Sequence, residues 1–141
     1  MIPNWIETFF ADYAAAFHAD SKRSLLAKFC VPLPFLTKDG AIVLGDKDGL
    51  AANMDALSRR YEQLGARDWQ YTIRRVQAVG ASIHLVEIEW RFFNVAAELL
   101  YACETSYFLG GDMAADAKVL AIIAHNENDE YQKAWARKQS G

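Results

Sequence analysis

The fold is decided by residues 82–109, SIHLVEIEWRFFNVAAELLYACETSYFL, which contain two apolar runs joined by a bend. In the first run, alternate residues from His84 to Phe92 are mostly apolar, and acidic or basic residues occupy positions between them. A two-residue period is typical of a half-buried strand. Residues 98–109 alternate in the same way. The stretch therefore predicts a long antiparallel hairpin with one apolar face.

Outward from this hairpin, the spacing of apolar residues separates helices from strands. A spacing of three and four predicts helices, whereas alternation predicts strands, and the period changes after Gly65. Helices are predicted over residues 3–18, from an Asp20 cap to Phe29, from an Asp46 cap to Gly65, and over residues 130–138. A small hairpin about Asp39-Gly40 and an antiparallel meander of four strands over residues 69–79, 82–93, 98–109 and 119–126 complete the prediction.

Helices that precede a curved sheet indicate an α+β fold. We expect the first helix to cover the concave side of a mixed or antiparallel sheet, giving a cone-shaped α+β barrel. The 141 residues contain no repeat or linker-like stretch, so residues 1–141 are predicted to form a single domain.

Charge and cysteine content narrow the classes of partner. The net charge of −3 is spread along the chain without a basic stripe, which argues against nucleic acid and membrane surfaces as partners. The two cysteines, Cys30 and Cys103, form no CxxC pair, so we expect reduced thiols and a cytoplasmic protein. No metal-ligand or phosphate-loop motif occurs, and we expect no metal and no cofactor. A small hydrophobic ligand remains as a partner.

Several stretches resemble the nuclear transport factor 2-like superfamily, which includes ketosteroid isomerases, scytalone dehydratase, SnoaL-like polyketide cyclases and dioxygenase small subunits. The resemblance lies in residues 13–20 (YAAAFHAD), Phe29 leading into the Asp39-Gly40 hairpin, residues 76–79 (VQAV) and residues 118–122 (KVLAI). It covers nearly the whole chain. The resemblance implies a cone with a cavity but no particular activity, because this fold holds many functions.

Comparison with the ketosteroid isomerases matches only one of their catalytic groups. Tyr13 corresponds to their helix-one tyrosine, which donates a hydrogen bond to the enolate. Thr37 stands where that family has its general base, and a threonine does not remove a carbon-bound proton at neutral pH. Thr105 replaces their protonated aspartate as a weaker donor. Steroid isomerisation by that mechanism is therefore not predicted.

The candidate site residues are polar or amphipathic groups on faces that we expect to point inward. Tyr13, His84 and Thr105 are the catalytic candidates, and Trp69, Trp90, Tyr101, Tyr107 and Asn126 are the ligand-binding candidates. Each has a structural alternative, since a buried tyrosine or tryptophan often serves core packing with one hydrogen bond. His84 lies near a sheet end, where a structural histidine is an alternative to a general base.

These patterns leave three hypotheses for function. The first is a protein that binds a small hydrophobic or carbonyl-bearing metabolite, with or without isomerase, dehydratase or cyclase chemistry. The second is a non-catalytic dimerising or assembly subunit whose cavity is filled by its own side chains. The third is an enzyme similar to the cyclases or dehydratases. A homodimer through the outer sheet face is also predicted, because Leu85, Phe93, Leu100 and Phe108 interrupt its charges.

Overall fold

Helices flank a six-stranded sheet in the computed structural model, which describes residues 2–18 and 22–141. The elements are α1 (Asn4–His18), α2 (Lys22–Leu26), β1 (Leu33–Thr37), β2 (Gly40–Leu44), α3 (Lys47–Leu64), β3 (Asp68–Gly80), β4 (Ile83–Phe93), β5 (Leu99–Gly110), β6 (Lys118–Ala124) and α4 (Glu127–Ser140). The four long strands and the small hairpin agree with the prediction, and α4 begins three residues earlier than expected. The predicted Asp20 cap lies outside the described residues.

The sheet is curved and mixed, with strand order β2-β1-β6-β5-β4-β3. Strands β3 to β6 form the predicted antiparallel meander, and β1 and β2 form the predicted hairpin. The hairpin joins the sheet through β1, which runs parallel to β6 with Phe35 opposite Ile122. This pairing was not predicted, because strand periodicity does not show which distant strand an edge will meet.

Helix α1 covers the concave side of the sheet, as expected from its apolar stripe. Ile6, Phe9 and Phe10 are at most 1% exposed. The Phe10 ring centroid lies 5.1 Å from that of Tyr107 on β5. Each fully buried side chain of this size contributes about 1.5–3 kcal/mol through burial. The contact between α1 and the sheet therefore provides much of the core.

Helix α3 has the two end signals predicted for it. The Gly49 amide donates to Asp46 Oδ1 at 2.8 Å, which satisfies one of the free amides of the first turn. Gly65 has φ of 90°, and its amide donates to the Tyr61 carbonyl. A glycine adopts this left-handed conformation without steric cost, so α3 ends there.

The convex face of the sheet mixes ion pairs with apolar side chains. Glu89 Oε1 lies 2.8 Å from Arg74 Nη2 on β3, which is a cross-strand pair as expected, and 2.8 Å from Arg91 Nη1 on its own strand. The predicted apolar residues Leu85, Phe93, Leu100 and Phe108 are all half-buried in the chain. No described helix is long and apolar enough to cross a membrane.

Candidate functional site

A cavity of about 60 Å³ lies inside the cone, between the helices and the concave side of the sheet. Eight of its lining residues are aromatic, among them Phe17, Tyr61, Trp69 and Trp90. A site with mainly apolar walls and a few polar groups is typical of small-molecule binding. The cavity is large enough for a few water molecules or a small organic group.

A more polar cleft of about 280 Å³ adjoins this cavity. The two share five lining residues: Phe35, Asn53, Leu57, Ala124 and Glu127. The cleft is also lined by charged side chains, including Lys38, Arg60 and Asp129. Lys38 Nζ and Asp129 Oδ2 form an ion pair at 2.8 Å. The cleft therefore leads from a charged outer surface to the aromatic interior.

Five of the eight predicted site residues line the cavity: Tyr13, Trp69, Trp90, Thr105 and Tyr107. Trp90 Nε1 donates to the Tyr107 hydroxyl at 3.0 Å. The Tyr13 ring centroid lies 5.7 Å from that of Tyr107 and 5.9 Å from that of Trp90. Helix α1 and strands β4 and β5 thus place three amphipathic rings against one another inside the cone.

Tyr13 is 5% exposed, and its ring packs against that of Tyr107 inside the cone. This orientation into the cone was predicted from the apolar residues that share its helical stripe. Burial raises the pKa of Tyr13 well above its usual range, although the contact with Tyr107 lowers it. The Tyr13 hydroxyl therefore keeps its proton at neutral pH and can donate a hydrogen bond to an acceptor oxygen.

His84 does not line the cavity, although it lies on the predicted face of β4. Its ring makes an edge contact with Trp5 at a centroid distance of 5.4 Å, near the start of α1. Its Nδ1 is buried and has no hydrogen-bond partner among the described residues. The position near the sheet end keeps this imidazole away from the aromatic pocket, so the structure does not support its candidacy as a general base there.

Tyr101 and Asn126 also lie outside the inner cavity. The Tyr101 ring is 3% exposed and stacks on Phe92 at a centroid distance of 4.6 Å. Asn126 was predicted to end a strand and face inward, but β6 ends at Ala124 and Asn126 precedes α4. Its Oδ1 accepts from the Glu104 amide at 2.8 Å. Asn126 therefore joins α4 to β5 and reaches only the outer cleft.

Glu127 is a site residue that the sequence analysis missed. It is the first residue of α4 and lines both the cavity and the cleft. Its Oε2 accepts hydrogen bonds from the Tyr61 hydroxyl at 2.9 Å and the Tyr101 hydroxyl at 3.1 Å. Two phenols from different elements, α3 and β5, thus hold one carboxylate at the junction of the two spaces.

Burial raises the pKa of Glu127 above its usual value. The hydrogen bonds from Tyr61 and Tyr101 and the positive charge of Arg60 oppose this rise by favouring the carboxylate. Burial raises the pKa values of Tyr61 and Tyr101, and the charge of Glu127 raises them further. The raised pKa brings the titration of Glu127 closer to neutral pH than that of an exposed glutamate.

No periodic pattern in the sequence points to Glu127. Acidic residues are common in the first turn of a helix, where they interact favourably with its dipole, and Asp129 and Glu130 follow in the same turn. The position of Glu127 depends on where β6 ends and how α4 turns over the opening.

The described residues contain no group of three or more His, Cys, Asp or Glu side chains placed to hold a metal ion.

Several solved structures share this fold, and the proteins differ widely in the names that they carry. A ketosteroid isomerase-like protein from Erwinia carotovora atroseptica SCRI1043 is 17% identical, with a TM-score of 0.63 over 86% of this chain and 93% of that chain. Aln2 from a Streptomyces species is 13% identical, with a TM-score of 0.68 over 92% and 93%. The beta subunit of benzoate 1,2-dioxygenase from Burkholderia mallei ATCC 23344 is 15% identical, with a TM-score of 0.60 over 88% and 89%.

Identities this low establish a shared fold and not a shared activity. No curated protein matches the chain in a sequence comparison. The family described as NTF2-like protein (DUF6841) matches residues 2–127, which include all six strands and the first three helices. The chain therefore belongs to this NTF2-like family, and the cone fold predicted from its strand pattern is confirmed.

Proposed function

We propose that this protein binds a small, mainly apolar molecule in the cone, with an acceptor oxygen such as a carbonyl held by Tyr13. The observation that carries the proposal is a protonated, buried phenol facing a cavity whose walls are mainly aromatic and aliphatic. Apolar walls favour an apolar ligand because its burial removes surface from water. The hydroxyl then fixes the ligand's orientation, since an acceptor placed elsewhere in the pocket would lose its hydrogen bond.

Acid-base chemistry of the isomerase, dehydratase or cyclase type would require a second group that accepts a proton. Thr37 is exposed in the β1–β2 hairpin, and its hydroxyl is not a suitable proton acceptor. Glu127 is a carboxylate on the cavity wall with a raised pKa, and such groups are candidates for proton transfer. The similarity to a structure called ketosteroid isomerase-like agrees with this class of chemistry but does not specify a reaction.

Replacing Tyr13 with phenylalanine tests the binding proposal. A hydrophobic enone, added to the wild type and to Tyr13→Phe, should bind the variant one to two orders of magnitude more weakly, a loss of about 1.5–3 kcal/mol. Quenching of tryptophan fluorescence gives the affinities, because Trp69 and Trp90 line the cavity. Thermal melts measure the stability of the same two proteins. Equal affinity in both, with a lower melting temperature in Tyr13→Phe, would assign a purely structural role to the phenol.

The convex sheet face favours a second proposal, that two copies of the chain associate there. Leu85, Phe93, Leu100 and Phe108 leave apolar surface among the ion pairs of this face. A second copy would cover this surface and place like residues about a two-fold axis. This assembly is compatible with a ligand in the cone. If the protein's own side chains fill the cone, this association becomes the alternative function, that of a non-catalytic assembly subunit.

Light scattering at micromolar concentration measures the assembly directly. We expect twice the monomer mass of 15.9 kDa for the wild type and the monomer mass for Phe108→Lys. A lysine at an exposed position of α3, Arg59→Lys, serves as the control and should leave the mass unchanged. A stable interface buries about 1,000 Å² or more, and such a dimer should persist at micromolar concentration. A wild type that remains monomeric would therefore refute the dimer.

The two thiols support a proposal for the compartment. Cys30 and Cys103 are both free, and Cys103 is buried. Burial raises the pKa of the Cys103 thiol, which keeps it protonated and unreactive at neutral pH. Unpaired structural thiols are typical of reducing compartments, so we propose the cytoplasm.

A further inference from the structure

Among the described residues that line the cavity, one has a charged side chain, and that residue is Glu127. The other polar groups on these walls belong to Asn53, Thr105, the tyrosines and the two tryptophan indoles, all of which are neutral at physiological pH. Glu127 takes part in none of the ion pairs within the described residues. An ionised carboxylate in such surroundings is costly unless a positive charge or several donors compensate it.

The donors around Glu127 satisfy only one of its two oxygens. The hydroxyls of Tyr61 and Tyr101 both donate to Oε2, at 2.9 and 3.1 Å, and no hydrogen bond from a described residue reaches Oε1. The charge of the nearby Arg60 favours the carboxylate, but its guanidinium makes its direct contacts with other residues. Its Nη2 donates to Asn128 Oδ1 at 3.1 Å, and its guanidinium lies 4.1 Å from the Tyr131 ring centroid. The carboxylate thus keeps an acceptor oxygen for a ligand.

The aromatic walls complement the same kind of ligand. The face of an aromatic ring carries partial negative charge and attracts a cation within about 6 Å of the ring centroid, most strongly for tryptophan. Trp69, Trp90, Tyr61 and Phe17 all line the cavity that Glu127 borders. A carboxylate beside several aromatic rings suits an ammonium group on an apolar body better than it suits a neutral hydrocarbon.

We propose that the ligand of this cavity is a small organic amine, whose protonated nitrogen binds Glu127 Oε1 while its apolar part lies among Trp69, Trp90 and Phe17. This inference rests on the proposed binding function and specifies its ligand class. An acceptor oxygen elsewhere on the same molecule would still meet Tyr13. The charged cleft outside the cavity is the path by which an amine would reach Glu127.

Two probes of nearly equal shape, one cationic and one neutral, test whether a positive charge on the ligand strengthens binding. Benzylamine and benzyl alcohol are titrated into the wild type at pH 7 and low ionic strength, with tryptophan fluorescence and calorimetry as readouts. We expect benzylamine to bind at least tenfold more tightly. In Glu127→Gln, which keeps an acceptor oxygen for the two tyrosines, the affinity for benzylamine should fall at least tenfold and that for benzyl alcohol less than twofold.

Asp129→Asn is the matched control, because it removes a carboxylate two residues away that borders the cleft and not the cavity. It should change neither affinity by more than twofold. Equal wild-type affinities for the two probes would overturn the inference and leave the proposed function standing. Equal weakening of both probes by Glu127→Gln would also overturn it. If neither these probes nor the enone bind the folded wild type, the proposed function fails as well. The two affinities of the wild-type protein, for benzylamine and for benzyl alcohol, test the inference even where a variant does not fold.

Discussion

Replacing Tyr61 with phenylalanine removes one of the two phenol donors to Glu127 and keeps the aromatic ring. The lost hydrogen bond is the 2.9 Å contact from the Tyr61 hydroxyl to Glu127 Oε2. The ring still stacks on Phe92, whose centroid lies 4.8 Å away. Tyr101 still donates to the same oxygen at 3.1 Å. The variant therefore tests a single hydrogen bond with little change in packing.

The expected loss of stability depends on the charge of Glu127. A hydrogen bond to a charged group contributes about 1.5–3 kcal/mol, and one between neutral groups about 0.5–1.5 kcal/mol. Glu127 is half-buried and keeps its second donor. When Glu127 is ionised, we therefore expect Tyr61→Phe to lower the free energy of unfolding by the smallest value of the charged range, about 1.5 kcal/mol. Burial raises the pKa of Glu127 above its usual value of 4.5. At about pH 4.5 the group is mostly protonated, and the loss should fall below about 1 kcal/mol.

Urea unfolding followed by tryptophan fluorescence at about pH 4.5 and pH 7.5 measures both losses. Tyr71→Phe is the matched control, because it removes a phenol that packs on Trp90 and is not bonded to Glu127. Its effect should not differ between the two pH values. A loss below about 0.5 kcal/mol for Tyr61→Phe at pH 7.5, or a larger loss at the lower pH, would refute the hydrogen bond from Tyr61 to Glu127.

Three further predictions concern the site and the core. Because the pKa of Glu127 is raised in the folded state, its contribution to stability is fully present below its unfolded pKa and is lost as pH rises through the folded pKa. In urea titrations across this range, Glu127→Gln should become more stable relative to wild type as pH rises, and a constant difference would contradict the assignment. Phe10→Ala removes a fully buried ring and should cost about 3–5 kcal/mol in the same measurement, whereas a loss under about 1 kcal/mol would mean that α1 does not pack as described. Asp46→Ala should lower the free energy of unfolding by about 1 kcal/mol through the lost cap, compared with a few tenths for the neighbouring Asp48→Ala, and equal effects would count against the cap.

Most of the fold could be predicted from local patterns. The alternation in residues 82–109 predicted β4 and β5, which pair with Val86 opposite Tyr107 and Ile88 opposite Thr105. These partners are all buried, because a two-residue period places a whole residue set on one face. Asp46 and Gly65 likewise marked the ends of α3, since capping depends on backbone groups within one helical turn.

The site was less predictable, because a shared face does not imply a shared cavity. His84 and Trp90 lie on the same side of β4, yet His84 packs against Trp5 and only Trp90 lines the cavity. Alternation specifies the side of the sheet but not the position along the cone. That position depends on where α1 crosses the strands, which is a property of the packed helix and sheet.

The sequence by itself determined the order of elements, the inward faces of the long strands and the inward direction of Tyr13, because each follows from the period of one segment. Only the tertiary structure decided that β1 lies beside β6 and that Glu127 meets Tyr61 and Tyr101 where the cavity joins the cleft. Those three residues lie on α4, α3 and β5, and 66 positions separate Tyr61 from Glu127. Contacts of this kind arise from chain folding in three dimensions, and local periodicity carries no information about them.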